Sequence, residues 1–372
     1  MEIAKEAPVK RIVIDARESG TTTGRYVDKL LEYLHKLSPT YEVIVLTKSP
    51  RVDYIKSVAP KFEVIESDVK EFTFAEQLGL KRQIIELDPD LVHFAQTQQP
   101  VFYSGKVITT IHDLTTARFN NPSKNWLVFK LKQLVYRWVI KRVARKSERL
   151  ITPSDWVKYD VAQYTKIPTN KITVTYEAAD EIKELSEPVD KLKGMDFIMY
   201  AGRPQPHKNL RRLVRAFSQV QLTHPDLKLV LVGKLDKNSQ LLQNYIHRQD
   251  LSGVIFTDYI SEAQLRWLYE HAKAYVFPSL SEGFGLPGLE AMMHGTPVVS
   301  SRATCLPEVY KDAAIYFDPS STEDMSQKIN QILEDKELIA ALEHKAPKVA
   351  AMYSWKKTAE QTLQIYREVL KD

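Results

Sequence analysis

Short apolar runs rich in β-branched residues alternate along the chain with longer segments in which apolar residues recur at every third or fourth position. Runs of the first kind predict buried strands, and segments of the second kind predict amphipathic helices. This alternation is typical of α/β proteins, in which helices cover both faces of parallel sheets. Six runs in each half of the chain predict strands: RIVIDA (11–16), YEVIVLT (41–47), DLVHFA (90–95), KVITTIHD (106–113), RLITPS (149–154) and KITVTY (171–176), then DFIMYAG (196–202), LKLVLVG (227–233), VIFTDY (254–259), AYVFPS (274–279), TPVVSS (296–301) and AAIYFD (313–318).

An acidic segment, DEIKELSEPVDKLKGMD at 180–196, separates the two series of strands. A length of 372 residues also exceeds what one ordinary hydrophobic core organises. We therefore expect two Rossmann-like, doubly wound domains, 1–180 and 196–354, joined by a linker at 181–195. Open parallel sheets bind ligands beyond the carboxyl ends of their strands, so the loops that follow the strands are the candidate sites.

The loop after the first predicted strand is rich in glycine and threonine. Gly20 and Gly24 bracket three threonines, and an amphipathic helix is predicted to begin near Arg25. Glycine permits close backbone approach, and the first N–H groups of a helix attract anions. The loop does not match the G-x-x-x-x-G-K-[ST] phosphate loop, because Arg25 stands where that pattern has lysine. The alternative interpretation is a flexible turn between a strand and a helix.

Two cations follow the first predicted strand of the second domain. Arg203 comes directly after that strand, and Lys208 precedes a helix predicted from about Asn209. Arginine binds phosphate oxygens in pairs and lysine acts as a point charge, so the two suit a diphosphate. Ordinary surface charge is the alternative interpretation.

The stretch SEGFGLPGLEAMMHG (281–295) places two glutamates on either side of a glycine-rich turn. Gly283-Phe284-Gly285 predicts a turn with exposed amides, after which Pro287 suits the start of a helix that Gly295 ends. Glu282 would then lie on the loop and Glu290 in the first helical turns. A carboxylate accepts hydrogen bonds from vicinal hydroxyls while nearby amides hold a phosphate, so the combination indicates a sugar nucleotide. Alternatively, Glu290 only complements the helix dipole.

These motifs, in this order, resemble those of the retaining glycosyltransferases of family 4, which have the GT-B fold. The resemblance lies in G-R…K-N-L from Gly202, followed by P-S-x-x-E-G-F-G-L-P-x-L-E-A-M-x-x-G-T-P-V-V from Pro278. The first domain agrees more loosely, and its IDAR…TGRY start and THD segment look like those of bacterial mannosyltransferases. The last segment, 355–372, resembles the family's final helix, which implies that it completes the first domain. The family's N-G-x-D pattern is absent, and the chain reads YEAAD at 176–180.

The resemblance implies a role for each matching residue. The donor diphosphate would be bound by Gly24, Arg203, Lys208, Gly283, Phe284, Gly285 and Leu286, and the amides of the last four would also hold the transferred sugar. The ribose would be held by Glu290, and the base by the backbone of Tyr259 and Ile260. The residues closest to the chemistry would be His112, Asp113 and Glu282.

The resemblance also implies retaining transfer of a hexose from a nucleoside-diphosphate sugar, such as GDP-mannose or UDP-glucose, to a glycan or lipid-linked acceptor. Front-face attack through a short-lived ion pair would leave no need for Glu282 as a nucleophile. Fixed cations and amides would stabilise the leaving diphosphate, so we expect no cofactor and no divalent metal. Asp88-Pro89-Asp90 resembles the metal-binding D-x-D of another transferase fold, but it precedes a strand and predicts a turn. A nucleotide-sugar epimerase and a non-catalytic sugar-nucleotide-binding module are the alternatives.

The net charge of +5 is concentrated in one predicted helix. Residues 124–149 contain nine Lys/Arg and one acid, Glu148, whereas the remainder of the chain is slightly acidic. This does not indicate a nucleic-acid surface. Within the helix, two tryptophans, an apolar row and a basic row indicate either a helix packed on its domain or a peripheral contact with an anionic membrane. The apolar row is Val128, Leu131, Val135 and Val139, the basic row is Lys130, Arg137, Lys141 and Arg145, and the tryptophans are Trp126 and Trp138.

Location is predicted from what the composition lacks. No apolar run reaches the roughly 20 residues of a membrane span, and the first residues lack the pattern of a signal peptide. A single cysteine, Cys305, excludes an intramolecular disulfide and suits a reducing compartment. We therefore expect a cytoplasmic protein, with the basic helix as its candidate for contact with the inner face of the membrane.

Overall fold

The computed structural model describes residues 9–21, 23–71, 73–119 and 126–371. The strands of the described chain are β1 (Arg11–Asp15), β2 (Glu42–Thr47), β3 (Glu63–Glu66), β4 (Leu91–Phe94), β5 (Val107–Thr110), β6 (Arg149–Thr152), β7 (Ile172–Val174), β8 (Phe197–Ala201), β9 (Lys228–Val232), β10 (Val254–Phe256), β11 (Ala274–Phe277), β12 (Val298–Ser301) and β13 (Ala314–Phe317). The α-helices are α1 (Arg25–Lys36), α2 (Val52–Val58), α3 (Lys81–Glu86), α4 (Thr115–Arg118), α5 (Trp126–Lys146), α6 (Asp155–Thr165), α7 (Leu210–Val220), α8 (Lys237–Arg248), α9 (Glu262–His271), α10 (Leu286–Met293), α11 (Leu306–Tyr310), α12 (Thr322–Glu334), α13 (Lys336–Ala350) and α14 (Trp355–Leu370).

The chain divides into two compact units. The first unit holds the chain up to Leu114, Leu134–Glu177, and the chain from Ser354 onward. The second unit holds Thr115–Gln133 and Ala178–Tyr353. Residues 115–133, which the sequence assigned to the first domain, therefore group with the second unit. One reason is that the ring of Phe119 packs against that of His207, with 5.9 Å between their centroids.

The first unit is built on a parallel sheet with the strand order β3-β2-β1-β4-β5-β6-β7. Chain order reverses between β1 and β4, which is the topological switch point at which such sheets bind ligands. All six strands predicted for this half lie inside their predicted runs, but β3 was missed. Its sequence, EVIE, has only two apolar residues between glutamates, because β3 is an edge strand that is only partly buried.

The second unit is built on a six-stranded parallel sheet with the order β10-β9-β8-β11-β12-β13. Each of its strands lies inside its predicted run. The switch point lies between β8 and β11, whose residues Ala274 and Tyr275 pair with Ile198 and Met199. The loops that leave these two strands at their carboxyl ends are 202–209 and 278–285, which carry most of the predicted donor-binding residues.

The last helix, α14, packs on α1 within the first unit. Its apolar stripe buries Trp355, Ile365 and Tyr366. The Tyr366 hydroxyl is 2.7 Å from Nδ1 of His93, and Nε2 of His93 is 2.9 Å from the Thr110 hydroxyl. Burial and the neighbouring His112 lower the pKa of His93 to about 3, so this histidine is neutral. The C-terminal segment is thereby joined to the interior of the first sheet.

The basic helix α5 buries a different face from its predicted apolar row. The buried side chains are Gln133, Tyr136, Ile140, Val143 and Ala144. Leu131 and Val135 are exposed, as are Lys130, Arg137, Lys141, Arg145 and Trp138, whereas Val139 is half-buried. The side chains of Trp126 and Val128 lie outside the described part of the chain. Among the helices that the structure describes, none combines the length and the apolar character needed to cross a bilayer.

Candidate functional site

The centre of the candidate donor site is an ion pair at the switch point of the second unit. Lys208 follows β8, and Glu282 follows β11. Nζ of Lys208 donates to Oε1 of Glu282 over 2.7 Å, and the two side chains are only 20% and 12% exposed. The structure thus brings together two residues that lie 74 positions apart and that the sequence assigned to neighbouring parts of one ligand.

The loop that carries Lys208 is held by a buried asparagine. Asn209 has a left-handed backbone (φ 60°), which asparagine tolerates better than most residues. Its side-chain amide donates to the carbonyls of Pro278 and Pro319 over 3.0 and 2.9 Å. These carbonyls follow β11 and β13, so Asn209 ties the Lys208 turn to the ends of two other strands. The sequence predicts Asn209 only as a helix start.

Arg203 lies on the same loop and is exposed. The residue before it, Gly202, has φ 141°, a backbone conformation that favours glycine. A Cβ at Gly233, in the adjacent loop after β9, would come within 2.9 Å of the Gly202 carbonyl oxygen. Backbone therefore packs on backbone here, and the Arg203 side chain projects from a rigid edge.

The turn before α10 is shaped by a tyrosine. Gly285 is the residue before the helix, with φ 100°, and Tyr310 donates its hydroxyl to the Gly285 carbonyl. A Cβ at either Gly285 or Gly288 would clash with that hydroxyl. These glycines are thus required by packing against Tyr310, a role that their local sequence did not reveal. The turn is also held at Phe284, whose ring is buried and packs edge-on against Tyr353 at 5.2 Å.

The amides at the start of α10 lie between the two glutamates, as predicted. The helix begins at Leu286 with Pro287 as its second residue, and Gly295 has φ 78° just beyond its end. Gly283 to Leu286 therefore form the loop-to-helix junction that the sequence indicated. The positive dipole end of the helix makes this junction attractive to an anion.

Glu290 lies inside α10 and is 8% exposed. The Tyr269 hydroxyl, from α9, donates to its Oε2 over 3.1 Å. Tyr269 is in turn stacked on His294 with 5.8 Å between ring centroids. The carboxylate is thus held in one orientation by a tyrosine that carried no signal in the sequence.

The predicted base-binding residues lie on a third loop of the same sheet edge. Tyr259 is 81% exposed and Ile260 is partly buried, between β10 and the capping box of α9. The backbone of Asp258 pairs with Gly233, and its carboxylate accepts from the Leu235 N–H over 3.0 Å. The loops after β9 and β10 are therefore joined, and the Tyr259 ring lies exposed beside them.

The glycine loop of the first unit is closed on itself. A Cβ at Gly24 would overlap the Glu18 carbonyl oxygen, so only glycine fits there. Asp28 accepts hydrogen bonds from the Ser19 hydroxyl, the Gly20 N–H and the Arg51 guanidinium. These hydrogen bonds tie the described residues of the loop to α1 and to Arg51. The close approach of the Glu18 carbonyl oxygen therefore explains the glycine at position 24 without any bound phosphate.

His112 follows β5 in the first unit, and both of its ring nitrogens have partners. Nδ1 is 2.9 Å from Oε1 of Glu177, and Nε2 is 3.0 Å from the Ala95 carbonyl oxygen. Burial opposes protonation, but the hydrogen bond and charge of Glu177, the Ala95 carbonyl and the charge of Asp113 together raise the His112 pKa above its ordinary value. Glu177, in the YEAAD segment, is a further residue of the site for which the sequence carried no motif.

Within each unit the predicted residues lie at the carboxyl edge of the sheet. The second unit gathers Arg203, Lys208, Glu282, Gly283, Phe284, Gly285, Leu286, Glu290, Tyr259 and Ile260, and the first gathers Gly24, His112 and Asp113. Asp88 has a left-handed backbone and Asp90 accepts from the Arg11 N–H, so the D-P-D sequence is a turn. In the described ranges no group of three or more His, Cys, Asp or Glu residues is arranged to hold a metal ion.

Comparisons with known proteins agree in both halves of the chain. Residues 181–349 match the model for Glycosyl transferases group 1, and residues 23–181 match the model for Glycosyltransferase Family 4. O-antigen chain mannosyltransferase B of Escherichia coli is 30% identical over 275 residues, which cover 70% of each chain.

Two solved structures share the fold over almost the whole chain. Sucrose-phosphate synthase from Thermosynechococcus elongatus superposes with a TM-score of 0.75 at 18% identity, covering 97% of this chain and 99% of that one. Anabaena Alr3699/HepE, solved in complex with UDP and glucose, also superposes with a TM-score of 0.75, at 16% identity over 96% of this chain and 100% of that one.

Proposed function

The chain belongs to the group 1 and family 4 glycosyltransferases, and from this premise we propose that it moves a hexose from a nucleoside-diphosphate sugar to a glycan or lipid-linked acceptor with retention of configuration. Mannose from GDP-mannose is the proposed donor sugar, because the curated relative at 30% identity is a mannosyltransferase. UDP-glucose is the competing donor, since a structural neighbour was solved with UDP and glucose.

The observation that carries this proposal is the Lys208–Glu282 pair. A lysine has three N–H donors, so Lys208 can bind Glu282 and still donate to phosphate oxygens. A carboxylate has about four acceptor positions, so Glu282 can accept from Lys208 and from sugar hydroxyls at once. In a nucleotide sugar the ring is bonded directly to the second phosphate. Adjacent binders for phosphate and sugar are therefore what this ligand requires.

The proposed mechanism uses fixed charges. The bond between the anomeric carbon and the phosphate oxygen breaks, and its electron pair stays on the leaving diphosphate. Arg203, Lys208 and the first amides of α10 stabilise that charge without reorganising, and electrostatic stabilisation of this kind contributes most to catalysis in many enzymes. The acceptor hydroxyl attacks from the same face and passes its proton to the leaving phosphate. No step of this scheme requires a divalent metal.

A donor screen tests the proposal. In a thermal-shift comparison of GDP-mannose, UDP-glucose and a dTDP-sugar, we expect GDP-mannose to stabilise the protein most, by about 3 kcal/mol at a hundred times its dissociation constant. With a mannose-terminated acceptor, the new linkage should have the α configuration of the donor by NMR, and EDTA should leave the rate unchanged. A β linkage would contradict retention, and activity that is lost in EDTA and restored by magnesium would contradict the metal-free scheme. An epimer released from donor alone would favour the epimerase.

We also propose that one surface of the first unit binds an anionic membrane. This surface, the α5 face, consists of Leu134, Trp138, Lys141, Arg142 and Arg145 of α5 together with Phe102. The helical residues recur at spacings of three and four, so they share one side of α5. The Phe102 and Trp138 rings are 6.2 Å apart, and the Arg142 guanidinium lies 6.0 Å from the Phe102 centroid. Exposed rings among cations match the headgroup region of an anionic bilayer.

The α5 face can be tested by vesicle sedimentation. Wild-type protein should bind vesicles of phosphatidylglycerol and phosphatidylcholine, and the double variant Phe102→Ser, Trp138→Ser should bind several-fold more weakly. Lys141→Gln, Arg142→Gln and Arg145→Gln together should lower affinity by up to about 3 kcal/mol at low salt, at about 1 kcal/mol per cation. Tyr159→Ser, an exposed ring on α6 of the same unit, is the matched control and should bind normally. Absence of wild-type binding would refute the assignment.

A further inference from the structure

The contact between His112 and Glu177 lies where the chain departs from the N-G-x-D pattern. His112 follows β5 and Glu177 follows β7, and both belong to the first unit. Nδ1 and Oε1 are 2.9 Å apart, the His112 side chain is 22% exposed and that of Glu177 is 9% exposed. An alanine or asparagine would fill this position without placing a negative charge on the imidazole. The contact of Glu177 with His112 therefore involves the charge of its carboxyl group as well as its shape.

Both nitrogens of His112 face oxygen atoms that only accept. The Ala95 carbonyl oxygen, 3.0 Å from Nε2, has no proton to give, and Oε1 of Glu177 faces Nδ1 as a hydrogen-bond acceptor. A neutral imidazole carries one N–H and would satisfy one of these acceptors, leaving a lone pair directed at the other. The doubly protonated ring satisfies both. With acceptors at both nitrogens, this hydrogen-bond geometry favours the imidazolium form.

The groups that face His112 from the surrounding elements support the same charge state. Glu177 and Asp113 are negative and raise the His112 pKa against the effect of burial. The Tyr26 ring of α1 meets the imidazole edge-on at 4.8 Å and adds no charge, because burial raises the pKa of its hydroxyl and keeps it protonated. His93 of β4 is neutral, so it does not compete as a second cation.

We propose that Glu177 is a positioning residue that holds His112 as a fixed imidazolium, so that His112 has no lone pair with which to act as a general base. This inference rests on the proposed glycosyl transfer. There, the anomeric C–O bond breaks towards the diphosphate, and the acceptor proton leaves with the phosphate. An imidazolium without a lone pair takes no part in that proton transfer. Its role is to present a fixed positive charge at the carboxyl edge of the first sheet.

Histidine NMR on the unliganded protein tests the charge state independently of any activity. The chain has nine histidines, and the His112 signal is identified by its loss in His112→Asn. In wild-type protein we expect His112 to titrate above the ordinary value of about 6.5. In Glu177→Gln, which keeps shape and removes charge, the midpoint should fall by about one pH unit, corresponding to a tenfold change in proton affinity. Glu148→Gln removes an exposed charge from the same unit and should leave the midpoint unchanged.

The pH dependence of transfer provides the second readout. Wild-type kcat should be level through neutral pH and fall as His112 loses its proton, and in Glu177→Gln that fall should begin about one pH unit lower. KM for the donor should change less than kcat. A wild-type His112 that titrates at or below 6.5, or a midpoint unmoved in Glu177→Gln, would overturn the inference even if the chain transfers no sugar. A shifted NMR midpoint with identical pH–rate profiles would refute the role in turnover. If Glu177→Gln does not fold, the wild-type titration alone decides the charge state.

Discussion

Replacing Lys208 with methionine is expected to weaken binding of the free nucleoside diphosphate by about 10- to 100-fold, the range of one charge-assisted hydrogen bond. Methionine keeps the length of the side chain but removes its charge, so the loop geometry set by Asn209 should persist. The dissociation constants of GDP and UDP, measured by calorimetry, provide the test. Unchanged affinity for both would remove Lys208 from the diphosphate site.

Loss of Lys208 also leaves the Glu282 carboxylate without its ion-pair partner, and the Glu282 side chain is only 12% exposed. We therefore expect Lys208→Met to be less stable than the double variant Lys208→Met, Glu282→Gln, in which no uncompensated charge remains. Lys273→Met is the matched control. Lys273 pairs with Asp196 over 3.0 Å at the opposite, amino end of the same sheet, so its loss should leave nucleotide affinity intact.

Variants of Glu282 and Glu290 should differ in which ligand they bind more weakly, measured by the same calorimetry. Glu282→Gln is expected to lower the affinity for the sugar-bearing donor more than the affinity for the free nucleoside diphosphate, because Glu282 would contact the transferred sugar. Glu290→Gln should weaken both ligands alike, because the ribose is common to them. Tyr269 holds the Glu290 carboxylate, so Tyr269→Phe should reproduce a milder form of the Glu290 effect. Parallel losses for both ligands in both glutamate variants would refute this division of roles.

The largest effect on stability is expected from Arg17→Met. The Arg17 guanidinium forms two hydrogen bonds to Asp15, at 2.9 and 2.7 Å, and one to Glu76 at 3.0 Å. Arg17 and Glu76 are each 2% exposed and Asp15 is 8% exposed. Burial works against the guanidinium charge, but the two carboxylates raise the pKa of Arg17 above its ordinary value, so the arginine is fully charged. Its removal takes the opposite charge away from two buried carboxylates, which costs about 3–5 kcal/mol.

Urea unfolding followed by circular dichroism measures this loss. Adding Glu76→Gln to Arg17→Met should recover part of the stability. Arg82→Met is the control, since Arg82 and Glu86 form an exposed pair on α3 that should contribute nothing measurable. Equal stabilities of wild type and Arg17→Met would contradict a structural role for this buried charge cluster.

The predicted fold class, α/β with two Rossmann-like parallel-sheet units of the GT-B type, is confirmed by the sheet topology and by the solved neighbours. Periodicity sufficed because parallel strands are buried on both faces and read as continuous apolar runs. β3 was not predicted, because an edge strand that is only partly buried needs few apolar residues. The buried side of α5 also could not be predicted from the spacing of its apolar residues. That helix carries apolar residues on an exposed side, and only the neighbouring sheet decides which side is buried.

The sequence by itself determined the strands, their loops and the motif residues at the loops, because these depend on local periodicity, glycine and the order of short patterns. It thereby determined that the chain carries the group 1 and family 4 motifs. Tertiary structure alone decided the partners: Glu282 for Lys208, Tyr269 for Glu290, Tyr310 for the glycines of α10, and Glu177 for His112. Each pair joins loops or helices that leave different strands, and the charge and orientation of a side chain depend on what the fold places against it.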